Sequence, residues 1–112
     1  MTRRYALALD LADDPRLIAE YERHHAAVWP SIEKSIRDAG IERLEIYRTG
    51  NRLFMMLEAS PAFSFEQKAA DDAANPKVQE WERLMWAYQR ALPWAKPGEK
   101  WMLMDRVFKL ED

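Results

Sequence analysis

The chain uses histidine twice, and the two stand side by side as His24 and His25 in the stretch YERHHAAVWP, residues 21–30. Imidazole titrates close to neutral pH, so it can take or give a proton there. On a helix, Tyr21, His25 and Trp29 fall at i, i+4 and i+8 and share a face, provided the helix runs as far as Trp29. An imidazole between a phenol and an indole has a hydroxyl on one side and a flat apolar wall on the other. That suits a small molecule carrying both hydroxyls and a hydrophobic patch. Spacing does not choose between the two histidines, which flank the buried stripe on opposite sides. Taken alone, a His-His pair on an amphipathic helix is more often packing or solvated surface than chemistry. The two rings leave a helix about 100° apart, which disfavours a shared metal. No HxxxH or carboxylate-histidine spacing supports one, so no metal site is expected.

Other residues need the same weighing. Trp81, Met85 and Tyr88 recur at helical spacing and read as core, with Trp81 the one able to face the first helix. Trp94 and Trp101 flank a proline loop and fit an interface as well as a pocket. Met55-Met56 and Met102-Met104 sit on expected strands and read as core. Glu20, Glu22, Glu80 and Glu82 read as solvated helix faces. There is no Ser-His-Asp arrangement, phosphate loop or dinucleotide glycine motif, and the chain has only three glycines.

Regular elements must position these side chains. RRYALALDL, residues 3–11, alternates, with Tyr5, Leu7, Leu9 and Leu11 on one face and the small Ala6 and Ala8 on the other. Asp14-Pro15 opens a helix with a capping carboxylate followed by proline in the first turn. Leu17, Ile18, Tyr21, Val28 and Trp29 continue its apolar stripe. Pro30 must kink that helix or begin a second piece, and Gly40 ends it. Residues 41–48 and 53–58 read as a hairpin turned at Gly50-Asn51. Residues 63–74 form a short helical segment, and Asn75-Pro76 starts another helix. LPWAKPGEK is a loop, and residues 101–110 read as a last strand. The order strand, helix, strand, strand, helix, strand is a split βαβ pattern. It predicts an α+β, ferredoxin-like βαββαβ sandwich over a single domain, residues 1–112. Helices cover one face of such a sheet, and a second subunit is the natural cover for the other.

The totals exclude several classes. A formal net charge of -2 gives no basic stripe for nucleic acid. No apolar run approaches the roughly 20 residues of a membrane-spanning helix. With no cysteine, disulfides, thiolate metal sites and cysteine nucleophiles are absent. The N-terminus reads as a strand and not as a signal, so a cytoplasmic location is expected. Five tryptophans exceed what packing needs and suggest an aromatic-lined cavity or a subunit interface.

The stretch EYERHHAAVWPSI resembles the signature of the L-rhamnose mutarotase family: Tyr, three residues, His, three residues, Trp-Pro. The similarity extends through RRYALALDL, IYRTGNRLFMMLE, VQEW and the LP that follows the last helix, nearly the whole chain. It implies a cofactor-free sugar mutarotase, a homodimer of the dimeric α/β-barrel type with a monosaccharide pocket in each subunit. It implies His25, not His24, as the proton-transferring residue, with Tyr21 assisting. Trp29, Tyr47 and Trp81 fall at positions resembling pocket or near-pocket aromatics. Trp29, Trp81 and Met56 are expected to wall the methyl group of a 6-deoxy hexose. Two departures from the family pattern stand out: Leu44 replaces a tyrosine, and Trp81-Glu82 replaces a tandem Trp-Trp. Glu82 therefore joins the expected sugar-facing set, and the chain looks closer to the L-fucose branch. The implied reaction interconverts anomers of L-fucose or L-rhamnose without redox change, so no cofactor is expected. The competing reading is a sugar-sensing module, or a cofactor-free oxygenase or isomerase on the same scaffold, because a fold does not decide function.

Overall fold

The computed structural model describes residues 2–110. Strand β1 (Arg3–Leu11) runs through the middle of an antiparallel sheet. On one side it pairs β3 (Arg52–Ala59), with Leu7 opposite Met55 and Leu9 opposite Leu53. Strand β2 (Ile41–Thr49) pairs the far edge of β3, with a register shift between Ile41 and Arg43. On its other side β1 pairs two short strands, β4 (Gln89–Arg90) and β5 (Met102–Leu103). The architecture is the expected ferredoxin-like α+β sandwich, with each helical connection built from two pieces.

Four helices form those connections. Helix α1 (Pro15–His25) starts where Asp14 accepts hydrogen bonds from the amides of Arg16 and Leu17. Helix α2 (Pro30–Asp38) begins at the proline that cannot continue α1. Helix α3 (Phe65–Ala73) is capped by Ser64, and α4 (Pro76–Trp86) by Asn75. At the end of α2, Gly40 has φ +98°, a conformation that favours glycine, and a β-carbon there would meet the Ser60 hydroxyl at 2.9 Å. That close approach lets the Gly40 carbonyl accept from the Ser60 amide at 2.9 Å, tying α2 to the end of β3.

Two sequence expectations change. The expected row Tyr21-His25-Trp29 is not one helix face, because α1 stops at His25 and Trp29 caps α2. The reason is Pro30, whose missing N–H ends the ladder four residues upstream. The expected last strand over residues 101–110 shrinks to Met102–Leu103. The Met104 amide still reaches the Ala6 carbonyl at 2.8 Å, after which residues 105–110 have no regular structure. Val107, Phe108 and Leu110 are then exposed.

The core lies on one face of the sheet. Leu7, Leu9, Leu11, Leu53, Leu57 and Ala59 alternate toward the helices and are buried. Tyr21, Ile32, Val78, Trp81 and Met85 meet them from the helical side. Each such side chain contributes about 1.5–3 kcal/mol by leaving water. The opposite face carries Tyr47 and Phe54, whose rings stack with centroids 6.0 Å apart, and both are exposed.

Candidate active site

A cleft of about 340 Å³ lies between the helices and the sheet. That is the size of a small-molecule site. Its walls are mostly aliphatic and aromatic, and its polar lining comprises His25, Glu82, Gln89 and Lys100 besides Ser35 and the Lys68–Asp72 ion pair.

His25 is the last residue of α1. Its Nδ1 lies 3.1 Å from the main-chain carbonyl of Tyr21. A carbonyl only accepts, so Nδ1 carries the proton and Nε2 keeps its lone pair. Burial pushes the imidazole below its ordinary pKa of 6.5, the Tyr21 carbonyl opposes this, and His24 adds a smaller push down. At neutral pH His25 is therefore a neutral base with one defined basic atom. Its ring lies over that of Tyr21, with centroids 4.3 Å apart, and meets Trp81 edge-on at 5.7 Å.

Tyr21 is buried, and its phenol is pushed up to about 12 by burial, with Gln89 pulling it down and the charge of Glu82 adding to the rise. It keeps its proton and can donate. Its oxygen faces the Gln89 side-chain nitrogen at a long 3.5 Å. The other end of that amide, Gln89 Oε1, is the one buried side-chain polar atom without a partner among the described residues. Such an orphan costs about 1–3 kcal/mol.

His24 turns away from this arrangement. Its Nε2 lies 3.1 Å from the Tyr88 hydroxyl, and the two rings pack at 5.4 Å. Geometry thus separates the histidines that spacing left equal.

The expected pocket residues divide. Trp81 is buried, lines the cleft and faces His25. Glu82 lines it too and is paired with the Lys100 ammonium, which also lies over the Trp86 ring at 5.0 Å. Trp29 does not line the cleft. It stands behind Trp81, edge-on at 5.0 Å, because the chain has left α1 before reaching it. Met56 does not line it either. Alternation along β3 turns Met55 toward the helices and Met56 to the other face. Tyr47 belongs to that outer face and flanks a shallower groove beside Tyr21 and His25. Leu44, where the family pattern has a tyrosine, lines the cleft.

Lys100 and Gln89 were not singled out from the sequence. Lys100 reaches Glu82 across 18 positions through the proline loop, and no local pattern marks it. Gln89 carried one signal: a polar residue just beyond the apolar stripe of α4. Among the described residues, no three His, Asp or Glu side chains gather where a metal could be held, and no helix is long and apolar enough to cross a membrane.

Comparison with known proteins places the chain in a family. A family model described as L-rhamnose mutarotase matches residues 4–110. An L-fucose mutarotase from Xanthomonas campestris pv. campestris is 46% identical over 112 residues, covering 98% of this chain and 90% of that one. An L-rhamnose mutarotase from Acidiphilium cryptum is 30% identical over 106 residues, covering 93% and 96%. The crystal structure of an L-rhamnose mutarotase from Formosa agariphila superposes with a TM-score of 0.71 at 22% identity, covering 97% of this chain and 99% of that one. That superposition speaks for the fold, and the sequence matches carry the kinship. The chain belongs to the L-rhamnose mutarotase family.

Proposed function

We propose that the protein interconverts the anomers of a 6-deoxy hexose, L-fucose in preference to L-rhamnose, with His25 shuttling the proton and Tyr21 donating a hydrogen bond. Membership of the family makes it a sugar isomerase. The observation that carries the mechanism is the bond from His25 Nδ1 to the Tyr21 carbonyl, which leaves Nε2 as a base on the wall of the cleft.

The chemistry follows from that atom. Nε2 takes the proton of the anomeric hydroxyl as the bond from the anomeric carbon to the ring oxygen breaks. The ring oxygen gains charge as it leaves, and the Tyr21 hydroxyl stabilises it. The imidazolium returns the proton to that oxygen, giving the open aldehyde. Rotation about one bond and the reverse steps close the other anomer. A positioned acid-base group of this kind is worth roughly 10²–10⁴ in rate. No electrons change hands, so the reaction runs without a cofactor.

L-fucose is preferred because the relative with the higher identity carries that name, and because Leu44 and Glu82 both line the cleft. Trp81 offers the methyl group an apolar wall, and Glu82 and Lys100 face the hydroxyls. The working form is a homodimer. The sheet face carrying Tyr47 and Phe54 and the tail carrying Val107, Phe108 and Leu110 leave more apolar surface exposed than a lone subunit of this size needs.

NMR exchange spectroscopy on L-fucose and L-rhamnose, with wild type and His25→Ala, tests the proposal. Wild type should accelerate exchange, most for L-fucose, and His25→Ala should not. A wild type that accelerates neither sugar removes the reading, whereas a fully active His25→Ala removes only the proton route.

A further inference from the structure

Gln89 is held by the sheet. It opens β4, where it pairs Leu11 of the central strand. The preceding residue, Tyr88, accepts at its carbonyl from the Ala12 amide at 2.8 Å. The side chain is 3% exposed and lines the cleft together with His25, Trp81, Glu82 and Lys100. Its nitrogen faces the Tyr21 hydroxyl, and its carbonyl oxygen has no partner.

An unpaired buried carbonyl weakens a fold, and an apolar side chain of the same length would fill the space without that defect. Such a defect in the wall of a ligand cleft marks a group kept for what enters the cleft. A polyol brings hydroxyl donors.

We infer that Gln89 is a substrate-reading and positioning residue: its carbonyl accepts a hydrogen bond from one ring hydroxyl of the sugar, and its nitrogen holds the Tyr21 oxygen. This rests on the mutarotase reading. One planar amide then performs both tasks. With the Tyr21 oxygen accepting from Gln89 Nε2, the phenolic O–H is left to donate to a group other than Gln89. A sugar whose hydroxyl points elsewhere leaves the carbonyl unpaired and is discriminated against.

The test uses the full-length protein and compares wild type with Gln89→Met, which has nearly the same length without the amide. Anomer exchange is measured on L-fucose and on monodeoxy L-fucoses that each lack one ring hydroxyl. Gln89→Met is expected to lower kcat/KM for L-fucose roughly ten- to hundredfold. It should lower it far less for one monodeoxy sugar only, the one missing the hydroxyl that is read. Its melting temperature should equal or exceed that of wild type, which a purely structural role would not allow. Equal losses on every analogue, or no loss on L-fucose, overturn the inference while wild-type exchange keeps the mutarotase reading intact. A wild type inactive on all sugars overturns both. If Gln89→Met does not fold, Gln89→Asn carries the same test, because it withdraws the amide by one methylene. Wild-type behaviour in that variant overturns the inference.

Discussion

His25 donates its Nδ1–H to the carbonyl of Tyr21, one turn back along α1, at 3.1 Å. One main-chain bond thus fixes the tautomer of the base and joins it to the residue proposed to work beside it.

The pH dependence follows from burial. The His25 pKa is lowered, so the base stays deprotonated below the ordinary histidine value of 6.5. The acid limb of kcat/KM for L-fucose is expected to turn below pH 6.5 in wild type. Stability carries the same sign. The unfolded chain binds a proton at His25 more readily than the folded one, so stability present above pH 6.5 is lost as pH falls below it and through the lowered value of the folded chain. Urea titrations at pH 7.5 and pH 5.5 should show the lower midpoint at pH 5.5, and His25→Gln should reduce the difference.

Tyr21 acts as a donor, not a base. With its phenol pushed up to about 12, no alkaline limb from Tyr21 is expected below about pH 10. Tyr21→Phe should lower kcat by roughly 10–10² and cost about 1–3 kcal/mol of stability, because the buried Gln89 nitrogen loses its partner. Exchange rates from pH 7 to 10 and one denaturation curve check both parts.

Sugar preference should move with two wall residues. The double variant Leu44→Tyr, Glu82→Trp restores the aromatic pattern of the rhamnose type. It is expected to shift the kcat/KM ratio toward L-rhamnose by about tenfold or more. Measuring both sugars in one sample removes error from protein concentration.

The tail should matter for assembly. Ending the chain after Met104 is expected to keep the subunit folded and to lower the dimer fraction, read by sedimentation velocity. Leu9, fully buried in β1, provides the contrast. Leu9→Ala should lose about 2–5 kcal/mol of stability in urea.

Most of the fold could be read locally. Asp14-Pro15 and Asn75-Pro76 are caps and starts that act within a single turn, and the helix break at Pro30 needs only the missing N–H. The hairpin turn at Gly50 needs only one glycine at φ +57°. The last strand misled because residues 101–110 have strand-like composition, yet a strand requires a partner and residues 105–110 do not run in the sheet. The face of Met56 was illegible for a different reason. Leu53 to Leu57 is apolar throughout, so there is no alternation to follow, and pairing with β1 and β2 decides which methionine turns inward. At the site, Tyr21, His25 and Trp81 carried a pattern, while Gln89 and Lys100 depend on a fold-back that no spacing encodes.

The break between α1 and α2 also has an electrical consequence. Because the helix stops at His25, the imidazole sits at the end where the last carbonyls of α1 point outward and carry partial negative charge. Burial keeps the resting ring neutral, while this terminus favours the cation formed each time the ring takes a proton. Extending α1 by one turn, by replacing Pro30 and filling residues 26–29 with helix formers, would move that field past His25. The base would be retained, and its protonated form would lose its stabilising neighbour.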